Sequence, residues 1–190
     1  MSLLLEHALR VAAFHHQGQV RKGGQLPYII HPTSVAMILA QNGYEDDILA
    51  AALLHDVLED TNCTEEQLRQ SFPVHIVEWV IHLSEIKQDA QGEKIPWKLR
   101  KQMHLERIRS SDWQVRAVKL GDKIHNMQSI VFDLVNGIDA WSVFNAPPEE
   151  VVWYYREALD ACNPDAEQLK PLVKIARRLI GELTELLPKG

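Results

Sequence analysis

Cysteine is nearly missing from this chain. Of its 190 residues only Cys63 and Cys162 are cysteines, and they lie far apart with no CxxC pairing. That excludes a disulfide framework or a zinc ribbon and points to two reduced thiols in a cytoplasmic protein. No apolar run approaches the roughly 18 residues of a membrane span. Leu3-Leu4-Leu5 is interrupted at once by Glu6 and His7, too soon for a signal segment, so no membrane partner is expected. An excess of positive charge is lacking too. Lys and Arg number 20 against 26 Asp and Glu, a formal charge of −6. Nucleic acid is therefore an unsuitable partner, because its binding draws on a basic surface. An anionic ligand would need a local basic cluster and a bound cation to overcome the overall field. Internal repeats, low-complexity tracts and the strict alternation of a strand are absent as well.

What remains is helical. With 46% hydrophobic and 24% charged residues, the composition is that of an ordinary globular protein, and the length suits one domain over residues 1–190. The pattern predicts an all-α fold. A first amphipathic helix runs from Leu3 to about Gln17, and a loop follows from Gly18 to His31. Pro32 suits the first turn of the next helix, where its missing N–H costs nothing, and Asn42-Gly43 ends that helix. One helix is expected from Asp46 to Asp60. Thr64 and Gln67 form a capping box for a short helix to Ser71, and another reaches from Val74 to about Lys87. Beyond a polar loop at 89–94, Pro96 opens a basic helix to Arg109. Asp112 caps a long helix ending at Asn136-Gly137. A loop spans 139–148 and a helix runs from Pro148 to Ala161. The last region starts at Asn163-Pro164, with Pro171 expected to bend or split it.

One stretch departs from this ordinary picture. The Ala- and Leu-rich run Ile48 to Leu54 has the character of a buried helix, yet His55-Asp56-Val57-Leu58-Glu59-Asp60 follows it directly. Buried charge is costly unless paired or bound to metal. On one continuous helix, His55 and Glu59 fall four apart, as do Asp56 and Asp60, so an imidazole and three carboxylates share a face. A charged helix end explains this less well than a metal site. One helix face seldom closes a coordination sphere, which turns attention to His31, beside the helix start at Pro32, and to Asp122, which interrupts the apolar pattern of the long helix with Asn126 one turn on. Either residue alone is more often a capped or solvated side chain. Together with His55-Asp56 they make a His, His-Asp, Asp ligand set, borderline-hard and suited to Mn, Fe or Zn.

That set resembles the HD-domain metal-dependent phosphohydrolases. The segments Gly18 to Lys22, Pro27 to Pro32, His55 to Thr61 and Val118 to Met127 resemble more closely the hydrolase domain of the guanosine tetraphosphate (alarmone) hydrolases. The resemblance covers about Leu3 to Leu134, with a helical extension at about 148–187, and implies an HD-domain helical bundle. It implies His31, His55, Asp56 and Asp122 as ligands of a divalent metal, usually manganese, with zinc or iron as alternatives. It implies Glu59 as general base, with Asp60 positioning water or serving the leaving group, or the two roles exchanged. Asn126 would bond ribose or phosphate. Arg21-Lys22, a basic turn before Gly23-Gly24, would recognise the nucleotide, since Arg can stack on a base or grip phosphate. Lys98, Arg100 and Lys101 lie where such hydrolases contact phosphates, though their spacing also fits an exposed face. Lys119 and Lys123 flank Asp122 and are open to either site or solvent. Tyr154 falls near a nucleotide-contacting tyrosine of the small alarmone hydrolases. Trp141, Phe144, Trp153 and Tyr155 are expected to pack the C-terminal helices. His7, His15, His16, His75, His82, His104 and His125 match no ligand spacing.

The implied reaction is hydrolysis of a guanosine 3′-pyrophosphate ester, and the length suggests a hydrolase without the synthetase and regulatory domains of the bifunctional enzymes. Competing readings are a 5′-nucleotidase or a phosphatase of dinucleotide cofactors with the same metal centre, and a non-catalytic nucleotide-binding HD module. The last would predict a lost ligand or carboxylate, and none is lost. The cyclic dinucleotide diesterases are disfavoured because their Gly-Tyr-Pro signature is absent.

Overall fold

The computed structural model describes residues 1–89, 91–162 and 165–188. These form ten α-helices: α1 (Leu3–His15), α2 (Ile30–Gln41), α3 (Asp46–Leu54), α4 (Val57–Asp60), α5 (Glu65–Ser71), α6 (Val74–Leu83), α7 (Trp97–Arg109), α8 (Trp113–Val135), α9 (Pro148–Ala161) and α10 (Lys170–Glu185). Among the described residues there is no strand, only isolated bridges at Val20–Pro27 and Gln88–Lys94. The fold is all-α, as the periodicity predicts.

The centre is α3. Every residue from Ile48 to Leu54 is buried, and α1, α2, α6 and α8 all pack against this helix. Removing so much apolar surface from water is the main stabilising term; each fully buried Leu side chain, such as Leu54 or Leu39, contributes about 1.5–3 kcal/mol. The contact of α2 with α8 is made close by Gly121. A Cβ there would stand 3.1 Å from Val35 Cγ1 and 3.3 Å from Leu39 Cγ, so a larger residue would push the helices apart. His31 rides on α2 and Asp122 on α8, and that close approach sets their separation. Outside this core, α10 lies on α8, and α9 bridges α7, α8 and α10.

Several boundaries differ from the expected ones. The helix expected over Asp46–Asp60 is two, α3 and α4, interrupted at His55-Asp56. His55 Nδ1 lies 2.7 Å from the Ala52 carbonyl, a local bond that competes with continuation of the helix. The reading of His55, Asp56, Glu59 and Asp60 as two stripes of one helix is corrected accordingly. The α6 helix stops at Leu83 rather than near Lys87, leaving Glu85 and Lys87 free to turn toward α4. Asp112 precedes α8 without a side-chain capping bond. Pro171 stands in the first turn of α10, where it starts a helix instead of bending one. The expected start at Asn163-Pro164 lies outside the described residues.

Candidate metal centre and substrate cavity

Three helices deliver the candidate ligands. His31 comes from the first turn of α2, His55 from the end of α3 and Asp122 from the middle of α8; all three are buried, and one ligand atom from each lies within 4.8 Å of the others. Asp56 stands beside this group of three, its Oδ2 3.0 Å from His55 Nε2 and 3.5 Å from His31 Nε2. His31 Nε2 is 3.4 Å from Asp122 Oδ1. The break between α3 and α4 thus turns His55 and Asp56 inward together.

The chemistry of this set fits a divalent cation. His55 Nδ1 is held by the Ala52 carbonyl, and its buried Nε2 has no hydrogen-bond partner among the described residues, because the nearby Asp56 oxygen is poorly aligned. A ligating histidine is oriented in this way, through a bond at its other nitrogen. The charges agree. Burial opposes protonation of His55, yet Asp56, and then Asp122, push it up to about 9. Burial likewise works against ionised Asp56 and Asp122, but His55 holds the first well below the usual carboxylate range, and Lys123 and His31 hold the second there. The positive charge these carboxylates require comes from His55 and Lys123, and a bound cation would take the place of the His55 proton.

Around the ligands stand residues that the sequence alone did not single out. His31 Nδ1 is 2.7 Å from His125 Nδ1, and burial, followed by the neighbouring His31, lowers His125 to about 3. A neutral His125 fixes the His31 ring so that Nε2 faces the cluster. Its signal was its place three residues after Asp122, one turn along the same helix face. The Tyr28 hydroxyl donates to Asp56 Oδ2 at 2.6 Å and lies 3.4 Å from Asp60 Oδ2, joining a candidate ligand to a candidate catalytic carboxylate. Lys123 Nζ reaches Asp122 Oδ2 at 2.9 Å, with Lys119 at 3.6 Å, so both face the site and not solvent.

Glu59 and Asp60 sit on α4 with a different set of neighbours. The Glu85 N–H donates to Glu59 Oε2 at 3.0 Å, and Lys87 Nζ stands 3.3 Å from Glu59 Oε1 and 2.7 Å from Asp60 Oδ1. Burial and the adjacent Glu85 raise the Glu59 carboxyl above its ordinary value. Both carboxylates line an open cavity of about 820 Å³, together with His15, Gln19 and Lys87.

A second cavity, of about 640 Å³, adjoins the cluster through Tyr28, Lys123 and Asn126. Of the expected substrate contacts, Arg21, Lys22, Lys101, Asn126 and Tyr154 line it; Lys123 and Tyr28 join them. Asn126 couples cavity to cluster: its amide donates to Asp122 Oδ1 at 2.5 Å, and its carbonyl accepts from Arg21 at 2.9 Å. Lys22 lies over the Phe144 ring at 5.9 Å, and both Lys101 and Lys123 face the Tyr154 ring. The Tyr154 hydroxyl is buried and has no hydrogen-bond partner among the described residues. Lys98 and Arg100 leave this group. Lys98 lies 5.3 Å over the Trp153 ring, and Arg100 pairs with buried Glu85 at 3.0 Å; successive residues of a helix point in different directions, and only Lys101 of the three faces the cavity. The aromatics pack as expected, Trp141 and Tyr155 in the core and Phe144 and Trp153 against it, and Phe144 and Tyr155 line the cavity as well.

Comparison with known proteins places the chain among relatives of shared sequence and fold. The sequence profile of the HD domain matches residues 8–135. A guanosine-3′,5′-bis(diphosphate) 3′-pyrophosphohydrolase of Haemophilus influenzae is 37% identical over 126 residues, 63% of this chain and 18% of that protein. The bifunctional (p)ppGpp synthase/hydrolase SpoT of Escherichia coli K12 is 36% identical over 132 residues, 66% of this chain and 18% of its own length. The chain thus spans less than a fifth of these relatives. Among solved structures, one described as a metazoan ortholog of SpoT that hydrolyzes ppGpp superimposes with a TM-score of 0.77 at 24% identity, covering 96% of this chain and 98% of that one. A Listeria monocytogenes EGD-e structure gives 0.70 at 25% identity over 87% of this chain and 99% of that one.

Proposed function

The chain belongs to the HD-domain family, and from that premise we propose that it is a metal-dependent hydrolase of guanosine 3′,5′-bis(diphosphate), releasing pyrophosphate from the 3′ ester. The observation that carries this reading is the cavity of about 640 Å³, a size usual for small-molecule sites. Its wall carries Arg21, Lys22, Lys101 and Lys123 and is tied through Asn126 to Asp122. Four cations in a chain of net charge −6 are what a polyphosphate requires. We take residues 3–134 as the hydrolase core and 148–187 as an extension of the same unit, acting on a small nucleotide, with no role for nucleic acid, in the cytoplasm.

His31, His55, Asp56 and Asp122 would hold the metal, manganese by preference, with zinc or iron compatible with the same donors. When bound, the ion supplies Lewis-acid polarisation of water and of a phosphoryl oxygen. The protein's own groups do the rest. Arg21 and Lys22 grip the nucleotide, Arg21 held in place by Asn126. Lys101 and Lys123 neutralise phosphate charge, and Tyr154 offers its unpartnered hydroxyl. Glu59 takes a proton from the attacking water, a task suited to a carboxyl already raised by burial. Asp60, linked to Asp56 through Tyr28, orients the water. The water oxygen bonds to the phosphorus attached to the 3′ oxygen, the bond from that phosphorus to the 3′ oxygen breaks, and the proton passes to the 3′ oxygen. The products are pyrophosphate and GDP.

Purified protein with Mn²⁺, given guanosine 3′,5′-bis(diphosphate) and a panel of mononucleotides and dinucleotide cofactors, tests this directly. Pyrophosphate release is expected from the first alone. Asp56→Ala is expected to lose metal and turnover together, whereas Glu59→Gln keeps the metal and loses turnover by about 10²–10⁴-fold. Phosphate released from mononucleotides, with the bis(diphosphate) untouched, would sink the proposal.

A further inference from the structure

Along α8 a single polar stripe runs away from the ligand cluster. Asp122, Asn126, Ser129 and Asp133 are spaced by four, three and four residues, so they fall within an arc of about 60° on one helix face. The last three all line the cavity. Asp133 is half-buried and about 16 Å along the axis from Asp122 at 1.5 Å per residue.

Two carboxylates line this distant end, and they are not equivalent. Asp139 is committed, its Oδ1 accepting from the backbone N–H of Trp141 and Ser142. Asp133 makes no side-chain hydrogen bond or ion pair among the described residues, although its backbone carbonyl holds Ile138. An unneutralised carboxylate inside a cavity for a polyanion cannot face phosphate. It must meet an uncharged part of the ligand that offers hydrogen-bond donors. Two of the cations are fixed at the cluster end, Lys123 beside Asp122 and Arg21 on Asn126. The ester under attack belongs at that end, so the base extends along α8 toward Asp133, in a cavity whose wall also carries apolar Ile130, Ile138 and Phe144.

We propose that Asp133 is the base-selecting residue of the site, accepting hydrogen bonds from the ring N–H and the exocyclic amine of guanine. This rests on the nucleotide-hydrolase reading above. Guanine presents two adjacent donors on that edge, matching a carboxylate that accepts at two oxygens. Adenine presents a ring-nitrogen lone pair beside its amine and sets it against the negative charge. Polar groups built to pair with a ligand reject an analogue lacking the partner far more strongly than apolar contacts do.

The test compares wild type, Asp133→Asn and Asp133→Glu on guanosine 3′,5′-bis(diphosphate) and its adenosine counterpart with Mn²⁺, and measures GDP and ADP binding by calorimetry without metal. The wild type is expected to prefer guanine in both measurements. In Asp133→Asn the guanine-to-adenine ratio of kcat/KM falls by about 10–100-fold, the loss of a hydrogen bond to a charged group, and Asp133→Glu recovers part of it. Equal losses on both bases would overturn the proposal, and so would an unchanged ratio. If the wild type hydrolyses neither substrate yet binds GDP over ADP, with Asp133→Asn erasing the preference, base selection by Asp133 stands and the hydrolase reading falls.

Discussion

The ligand cluster and the substrate cavity touch at Asn126 but are built in opposite ways. The cluster hangs from three helices that pack on one another in the core, with His31, His55 and Asp122 almost fully buried. The cavity wall is shared between the 21–28 loop, the 138–144 segment after α8, and the helices α7, α8 and α9. A site that must hold a cation in fixed geometry gains from rigid helices whose positions are set by packing. A site that must admit and release a nucleotide gains from loops. The two should therefore fail independently when broken.

The largest expected effect falls on the cluster. His125→Ala removes the partner of His31 Nδ1 without touching the cavity wall. Loss of such an orienting bond lowers metal affinity by about 10–100-fold. Metal titration should show this, while KM at saturating metal stays near the wild-type value. An unchanged metal affinity would mean that helix packing alone orients His31, and the cluster would be more rigid than proposed.

Gly23 breaks the other side. It lies next to the basic pair Arg21-Lys22 and has φ +82, and a Cβ added there would stand 2.3 Å from Val143 Cγ1. Gly23→Ala forces an L residue into the left-handed region at a cost of about 1–2 kcal/mol and drives the loop off the 140–143 turn. The expected result is a rise in KM of about tenfold, from 1.4 kcal/mol per decade, with metal affinity unchanged. If metal affinity falls with it, the two regions are not separable.

The same contrast explains what could be read from sequence. As candidates, His55 and Asp56 stood out because charge directly after an apolar helical run is conspicuous, and Asp122 because it interrupts one, whereas His31 was joined to them through the resemblance to the HD-domain ligand set. The break at His55-Asp56 was not legible, since it depends on the local bond from His55 Nδ1 to the Ala52 carbonyl, and Ile48 to Asp60 reads as unbroken helix by composition. His125 was passed over because its partner is another histidine 94 positions away. Phe144 and Tyr155 pack as expected, but that they also line a cavity could not be read, because an aromatic in a core and one in a cavity wall look alike in a sequence. Glu85 and Lys87 were hidden by placing them in a helix that ends at Leu83.

The smallest effect is the sharpest test of the wall itself. Lys98 and Lys101 lie three apart on α7, a spacing at which both commonly share a face, and nothing in the residue pattern separates them. Lys101 lines the cavity and pairs with buried Glu85, whereas Lys98 rests over Trp153 outside it. Lys98→Ala should change KM by less than about twofold, the range of an exposed surface contact. Lys101→Ala should raise it several-fold, because it removes a cation from the phosphate path. The two variants are compared on one substrate at one ionic strength, since added salt screens exposed charges and would shrink the difference. Equal effects from both would place the phosphates along the outer face of α7, and the cavity described by Arg21, Asn126 and Tyr154 would then be too small a part of the binding surface.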